Sequence, residues 1–180
     1  SYYLKTSQSM ASLQELRESR LKKLQALEEI GTTSYPSSST RTHELKDVLS
    51  QFTLLEAEKK VVTVNGRVMI SRGQGAISFL DLYDGSARMQ AVIKLPESTQ
   101  EVMDFYRNYV DTGDFIEVTG VPFATKTGQA SILVSHVSML SKALLPLPDK
   151  FHGLQDEELR MRERYLDILT NEELRELFIK

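Results

Sequence analysis

A chain of 180 residues can hold one compact domain with appendages, and its 41% apolar and 26% charged content is that of an ordinary soluble globular protein. Zero cysteines exclude a disulfide framework and thiolate metal sites. The net charge of −3 argues against nonspecific coating of nucleic acid, yet leaves room for a local site that reads a few bases.

No apolar run is long enough to span a membrane, and the start lacks a basic-then-apolar leader pattern, so neither a membrane span nor secretion is expected and the location read is the cytoplasm. His43, His136 and His152 share no metal-ligand spacing, and each reads as a structural or surface residue.

Residues 1–11 are polar and unpatterned and read as a frayed or vector-derived lead. A helix is predicted to open at Ser12, whose hydroxyl forms a capping-box pattern with Glu15, and to stop at Gly31. Leu13, Leu16, Leu24 and Leu27 share one side of it. Arg17, Arg20, Lys22 and Lys23 make it locally basic, either as a solvated face or as a grip for RNA. A Ser/Thr/Pro-rich connection follows over 32–40, with Tyr35-Pro36 held extended. A second short helix is expected around 42–52, carrying Leu45, Val48, Leu49 and Phe52 at helical spacing. Together these form an N-terminal helical segment over 12–56.

The period then changes. Residues 61–72 read as a long strand, with Gly66 marking a bulge or sharp bend. Two alternating runs, 77–83 and 86–93, flank Asp84-Gly85, the dipeptide of a two-residue type I′ hairpin turn. That turn would set Leu80 against Met89, Leu82 against Ala87, Asp81 against Arg88 and Phe79 against Gln90. Leu80, Leu82 and Met89 make the apolar face, so Phe79 and Gln90 fall on the wet face. An exposed aromatic beside an amide that donates and accepts can stack on a nucleobase and read its edge. The plain alternative is a surface Phe under a loop.

After Pro96 a short helix is predicted, capped by Ser98 with Glu101 and burying Val102, Phe105, Tyr106 and Tyr109. Two further strands, 114–124 and 130–140, surround a turn at Lys126-Thr127-Gly128. Three strands, a helix and two strands is the element order of an OB-fold, a five-stranded barrel over 57–145, here preceded by two helices. Such barrels bind oligonucleotides around strands two and three, flanked by the loops joining strands one to two and four to five. The first loop is Ser71-Arg72-Gly73-Gln74-Gly75 and the second Lys126-Thr127-Gly128-Gln129, so Arg72 and Gln129 fall beside Phe79 and Gln90. Leu145-Pro146-Leu147-Pro148 reads as a stiff linker within 146–180. A charged hinge helix over 154–169 follows it, and then a helix opened by Thr170 and Glu173.

Several blocks are recognisable: Gly66-Arg67-Val68-Met69 with Arg72-Gly73, Ser78-Phe79-Leu80-Asp81-Leu82, and Thr125-Lys126-Thr127-Gly128. Most diagnostic is the stretch from Leu145 through Lys150-Phe151-His152-Gly153-Leu154 to Arg164-Tyr165-Leu166-Asp167. From about Leu16 to Lys180 the chain resembles the N-terminal anticodon-binding region of class II lysyl-tRNA synthetases.

The resemblance implies that the barrel binds the anticodon loop of lysine tRNA. In that family the central uridine stacks on the aromatic matching Phe79, the amide matching Gln90 hydrogen-bonds it, and the arginine matching Arg72 also contacts the anticodon. The family has a glutamate where this chain has Gln129, so that contact differs in strength or in the base it suits. Ser34 replaces the first proline of the family's Asn-Pro-Tyr-Pro, loosening a connector. ATP, Mg2+ and L-lysine are implied only for a catalytic domain beyond Lys180, as is a homodimer. The 180 residues themselves are expected to be inactive, with no catalytic and no metal residue; Gly73-Gln74-Gly75 lacks the context of a P-loop. The competing readings are a free-standing single-strand-binding OB module and a protein-interaction module.

Overall fold

Strand-forming alternation dominates the middle of the chain and closes it into a barrel in the computed structural model, which describes residues 2–31 and 39–147, with side chains placed from Ser12 onward. The expected connector details at 32–38, the hinge helix and the Thr170/Glu173 cap lie outside the described residues. Five strands carry the barrel: β1 (Val62–Gln74), β2 (Ile77–Tyr83), β3 (Arg88–Lys94), β4 (Phe115–Ala124) and β5 (Ala130–Ser141). Their order around the barrel is β1-β2-β3-β5-β4, antiparallel except for the β3–β5 pair, which is the OB arrangement.

β1 is long because it serves two neighbours. Its first part, Val62 to Arg67, pairs with β4, and its second, Arg67 to Gln74, pairs with β2, with a bulge between Val68 and Ile70. Gly66 sits at the hand-over. A Cβ there would lie 3.0 Å from the Leu82 Cβ, so β2 approaches the bend only because no side chain is present. Buried positions alternate cleanly along β2 and β4, and Val64, Leu80, Leu82, Ile93, Ile116 and Ile132 are all essentially fully buried. Each such side chain contributes roughly 1.5–3 kcal/mol by leaving water.

Helix α4 (Gln100–Tyr109) buries Val102, Met103 and Tyr106 in the same core. Its cap corrects the expectation. Thr99, not Ser98, is the N-cap, accepting from the Val102 N–H at 3.3 Å. Ser98 is fully buried, donates to the Val134 carbonyl at 2.6 Å and accepts from the Lys94 N–H, joining β3 to β5.

Three helices precede the barrel rather than two: α1 (Tyr2–Glu29), α2 (Leu45–Ser50) and α3 (Phe52–Ala57). The expected helix at 42–52 is a pair of short ones. The first helix begins well before Ser12, because no proline or glycine ahead of Ser12 takes the chain out of helical geometry. Ser12 therefore stands inside α1 and caps nothing. At the other end Gly31 adopts φ 73, a left-handed stop that suits glycine.

The basic face of α1 divides in use. Arg20 is 5% exposed and its guanidinium donates to the carbonyls of Ala143, at 2.9 Å, and Leu145, at 3.0 Å. Lys23 pairs with Asp111 at 2.6 Å, and Asp111 also meets Lys142. Lys142 is buried against Asp114, whose carboxylate accepts from the backbone N–H groups of Asp111 and Ala143 as well. Arg20 thus fastens α1 to the chain where it leaves β5, Lys23 fastens it to the connection between α4 and β4, and the apolar stripe is deep only at its C-terminal end. Leu27 is fully buried, while Leu13 and Leu16 are exposed. No helix among the described residues is long and apolar enough to cross a membrane.

Candidate nucleic-acid interface

The hairpin that carries Phe79 and Gln90 is wider at its tip than Asp84-Gly85 suggests. Tyr83 pairs with Arg88, Leu82 with Met89, Asp81 with Gln90 and Phe79 with Val92, leaving a four-residue loop. Gly85 has φ 89, but Asp84 has no positive φ, so the turn is not type I′. The physical cause is the Asp84 carboxylate. One oxygen accepts from the Ser86 N–H at 2.8 Å, the Ser86 hydroxyl at 2.6 Å and the Ala87 N–H at 3.1 Å, closing an Asx-type turn. Its other oxygen accepts from the Leu45 N–H at 2.8 Å, capping α2 from another part of the chain.

The register differs from the expected one by two positions, and two is the side-chain period of a strand. Every residue therefore keeps its face while changing its partner. Phe79 and Gln90 remain on the outer face but are diagonal rather than opposite, about 7–8 Å apart by strand geometry. Asp81 still pairs with Arg88, diagonally, at 3.5 Å. Both Phe79 and Gln90 are half-buried.

Arg72 is also relocated. It lies within β1, not in a loop, and is the direct cross-strand partner of Phe79. Two rows of residues on this side consequently run across the sheet, with Val92 and Ser131 buried within them. One is Arg72 (β1), Phe79 (β2), Val92 (β3), Leu133 (β5) and Val121 (β4); the other is Ile70, Asp81, Gln90, Ser131 and Phe123 on the same strands. The first brings a guanidinium beside an aromatic ring. In the second an amide is flanked by a carboxylate and a hydroxyl.

Gln129 is not brought into either row. It is exposed in the β4–β5 turn, where its backbone N–H donates to the Thr125 hydroxyl at 3.1 Å and its carbonyl accepts from the Thr125 N–H at 3.0 Å. Gly128, with φ 82, closes that turn. Gln129 sits two residues before Ser131, at the edge of the face.

Ile70, Ser131 and Phe123 are members of this surface that sequence reasoning did not single out. Phe123 had a usable signal, since alternation along β4 puts 115, 117, 119, 121 and 123 outside. Ser131 had none, because its place beside Gln90 depends on the parallel β3–β5 pairing, between strands remote in sequence. Its hydroxyl donates to the Gln90 Oε1 at 2.9 Å.

Electrostatically the face is mixed. Burial pushes the Asp81 carboxyl above its ordinary value, partly offset by the Arg88 and Arg72 guanidinium groups. Arg88 also lies over the Tyr83 ring, 5.7 Å from its centroid. The arrangement offers a π surface with an adjacent cation, and an amide held in a defined position. That suits single-stranded bases splayed from a loop more than the grooves of a duplex. Among the described residues no group of three His, Asp or Glu side chains could hold a metal ion.

Comparison with known proteins points the same way. Residues 62–140 match the family model described as tRNA anti-codon, an OB-fold nucleic acid binding domain. A lysine–tRNA ligase of Thermotoga maritima is 38% identical over 172 residues, covering 93% of this chain and 34% of that protein. One from Methanoculleus marisnigri is 38% identical over 161 residues, with 88% and 32% covered. One from Clostridium acetobutylicum is 36% identical over 171 residues, with 94% and 33% covered. The chain spans about a third of the length of the curated relatives it matches.

Proposed function

We propose, for a chain that belongs with the N-terminal regions of lysine–tRNA ligases and carries their OB-fold anticodon-binding domain, that the outer face of β1, β2 and β3 holds the anticodon bases of lysine tRNA. The observation that carries this reading is the cross-strand pairing of Arg72 with Phe79, with Gln90 one row away. Phe79 supplies a stacking surface for the central base, Gln90 a hydrogen bond to its edge, and Arg72 a fixed cation for phosphate or base. Phe123, on the far side of Gln90 and Ser131, extends the apolar surface to a neighbouring base. Gln129 approaches from the turn, as an amide that donates as well as accepts.

The whole protein is proposed to be a lysine–tRNA ligase of the cytoplasm. Its ATP, Mg2+ and L-lysine would be held outside the described residues, and its full-length form would be a homodimer.

The deciding measurement is fluorescence anisotropy with a stem-loop RNA bearing the lysine anticodon, against one with the central base changed. Tighter binding of the lysine stem-loop is expected. Equal affinity for both would refute anticodon recognition and leave the single-strand-binding or protein-interaction readings.

A further inference from the structure

We infer that Ser131 is a positioning residue that, together with Asp81 opposite, fixes which end of the Gln90 amide the face presents, and so selects a base with a carbonyl at the contacting edge over one with an amino group. This rests on the anticodon-binding reading and adds to it the origin of base choice.

The side-chain amide of glutamine has an acceptor at one end and two donors at the other, of nearly the same shape. Unless something distinguishes the ends, it can rotate to satisfy either kind of base. Here two neighbours do so. On the β5 side, Ser131 is fully buried and its hydroxyl donates to Gln90 Oε1 at 2.9 Å. The Gln129 carbonyl is the other acceptor within reach of that hydroxyl, at 3.3 Å. With the amide turned over, the same hydroxyl would accept from Nε2 and give its proton to the Gln129 carbonyl, but Oε1 would then be turned to the β2 side. On the β2 side, the direct cross-strand partner of Gln90 is Asp81, a half-buried carboxylate that attracts the amide's N–H end and repels its oxygen.

With Oε1 engaged, the end left to a ligand is Nε2, a donor. A uracil stacked on Phe79 offers carbonyl oxygens to it. For a contact at position 4 of the ring, cytosine carries an exocyclic amino group where uracil has O4, so two donors would face each other. Removing the Ser131 hydroxyl frees the amide to turn and offer its oxygen to cytosine.

The test uses this chain with stem-loop RNAs whose central anticodon base is uridine or cytidine. Wild type is expected to prefer uridine by about tenfold or more, the discrimination of a well-placed hydrogen bond. Ser131→Ala should cut that preference to about threefold or less, mainly by gaining the cytidine RNA, while Ser131→Thr, which keeps the hydroxyl, should retain it. Gln90→Glu has acceptors at both ends and should reverse the preference, which keeps the idea testable if Ser131→Ala melts early. Undiminished preference in Ser131→Ala, an equal loss for both RNAs, or uridine preference surviving in Gln90→Glu would overturn the role of Ser131. Absence of preference in wild type would instead overturn the anticodon reading beneath it.

Discussion

Asp84 is the most economical place to test how this fold is held, because one carboxylate serves two distant segments. Replacing it with alanine removes acceptors for four donors: the backbone N–H groups of Leu45, Ser86 and Ala87 and the Ser86 hydroxyl. Loss of a helix N-cap costs about 1 kcal/mol. The donors in the turn are near solvent, so water replaces most of what they lose, and about 1 kcal/mol more is a fair sum for the turn. A destabilisation of about 2 kcal/mol in a chain of this length lowers the melting temperature by roughly 4–8 °C. Asp84→Asn keeps one acceptor and should cost about half as much.

The charge adds a pH signature. Burial alone would raise the Asp84 pKa, but hydrogen bonds from Leu45, Ser86 and Ala87 outweigh it, and the carboxyl lies below its ordinary value. A group depressed on folding stabilises the native state above its unfolded pKa, about 3.9, and that contribution is lost as the pH falls through the folded value. Melting curves by circular dichroism should therefore show a constant gap between wild type and Asp84→Asn from pH 6 to 8, narrowing in acid. A melting temperature for Asp84→Ala within about 2 °C of wild type at pH 7 would refute the double-cap account.

Phe79→Ala and Gln90→Ala should each weaken binding to the lysine stem-loop, by about fivefold to a hundredfold for the stacking residue, with unchanged melting. Normal binding by either variant would remove that residue from the interface. Phe123→Ala should weaken the same RNA by a smaller factor, and an unchanged titration would confine contact to β1–β3. Gln129→Glu should change affinity or base preference in a competition titration, and no change would mean that this position makes no contact. Gly120→Ala should be severely destabilising, because its Cβ would fall 2.0 Å from the Leu133 carbonyl oxygen in the β4–β5 seam. A soluble variant that melts like wild type would show that the seam can shift to accept a methyl group.

The legible and illegible parts of this molecule separate along a physical line. The five strands and α4 are readable in order, because period-two alternation and capping residues act over a few neighbours. Facing directions are readable too. The hairpin prediction placed Phe79 and Gln90 outside correctly even with the wrong partners, since a two-residue slip preserves every face. Arg20 was misread as a choice between solvent and RNA. Its carbonyl partners, Ala143 and Leu145, are more than a hundred residues away, and nothing local announces them. The first strand is expected to end at Arg72 because the glycines after it resemble a loop, yet β2 pairs with it as far as Gln74 and so holds Arg72 inside the strand.

What the residues determined by themselves is the element order, the buried and exposed faces, and the identity of an aromatic, an amide and an arginine that belong on one wet surface. What only tertiary structure decided is the register and the company each side chain keeps. Asp84 widened the hairpin because its second oxygen caps α2, and barrel closure laid β5 parallel to β3 so that Ser131 reached Gln90. Local patterns constrain conformation through neighbours in sequence. Cross-strand partners and shared hydrogen bonds are set by groups far apart in the chain, which meet only when the barrel closes.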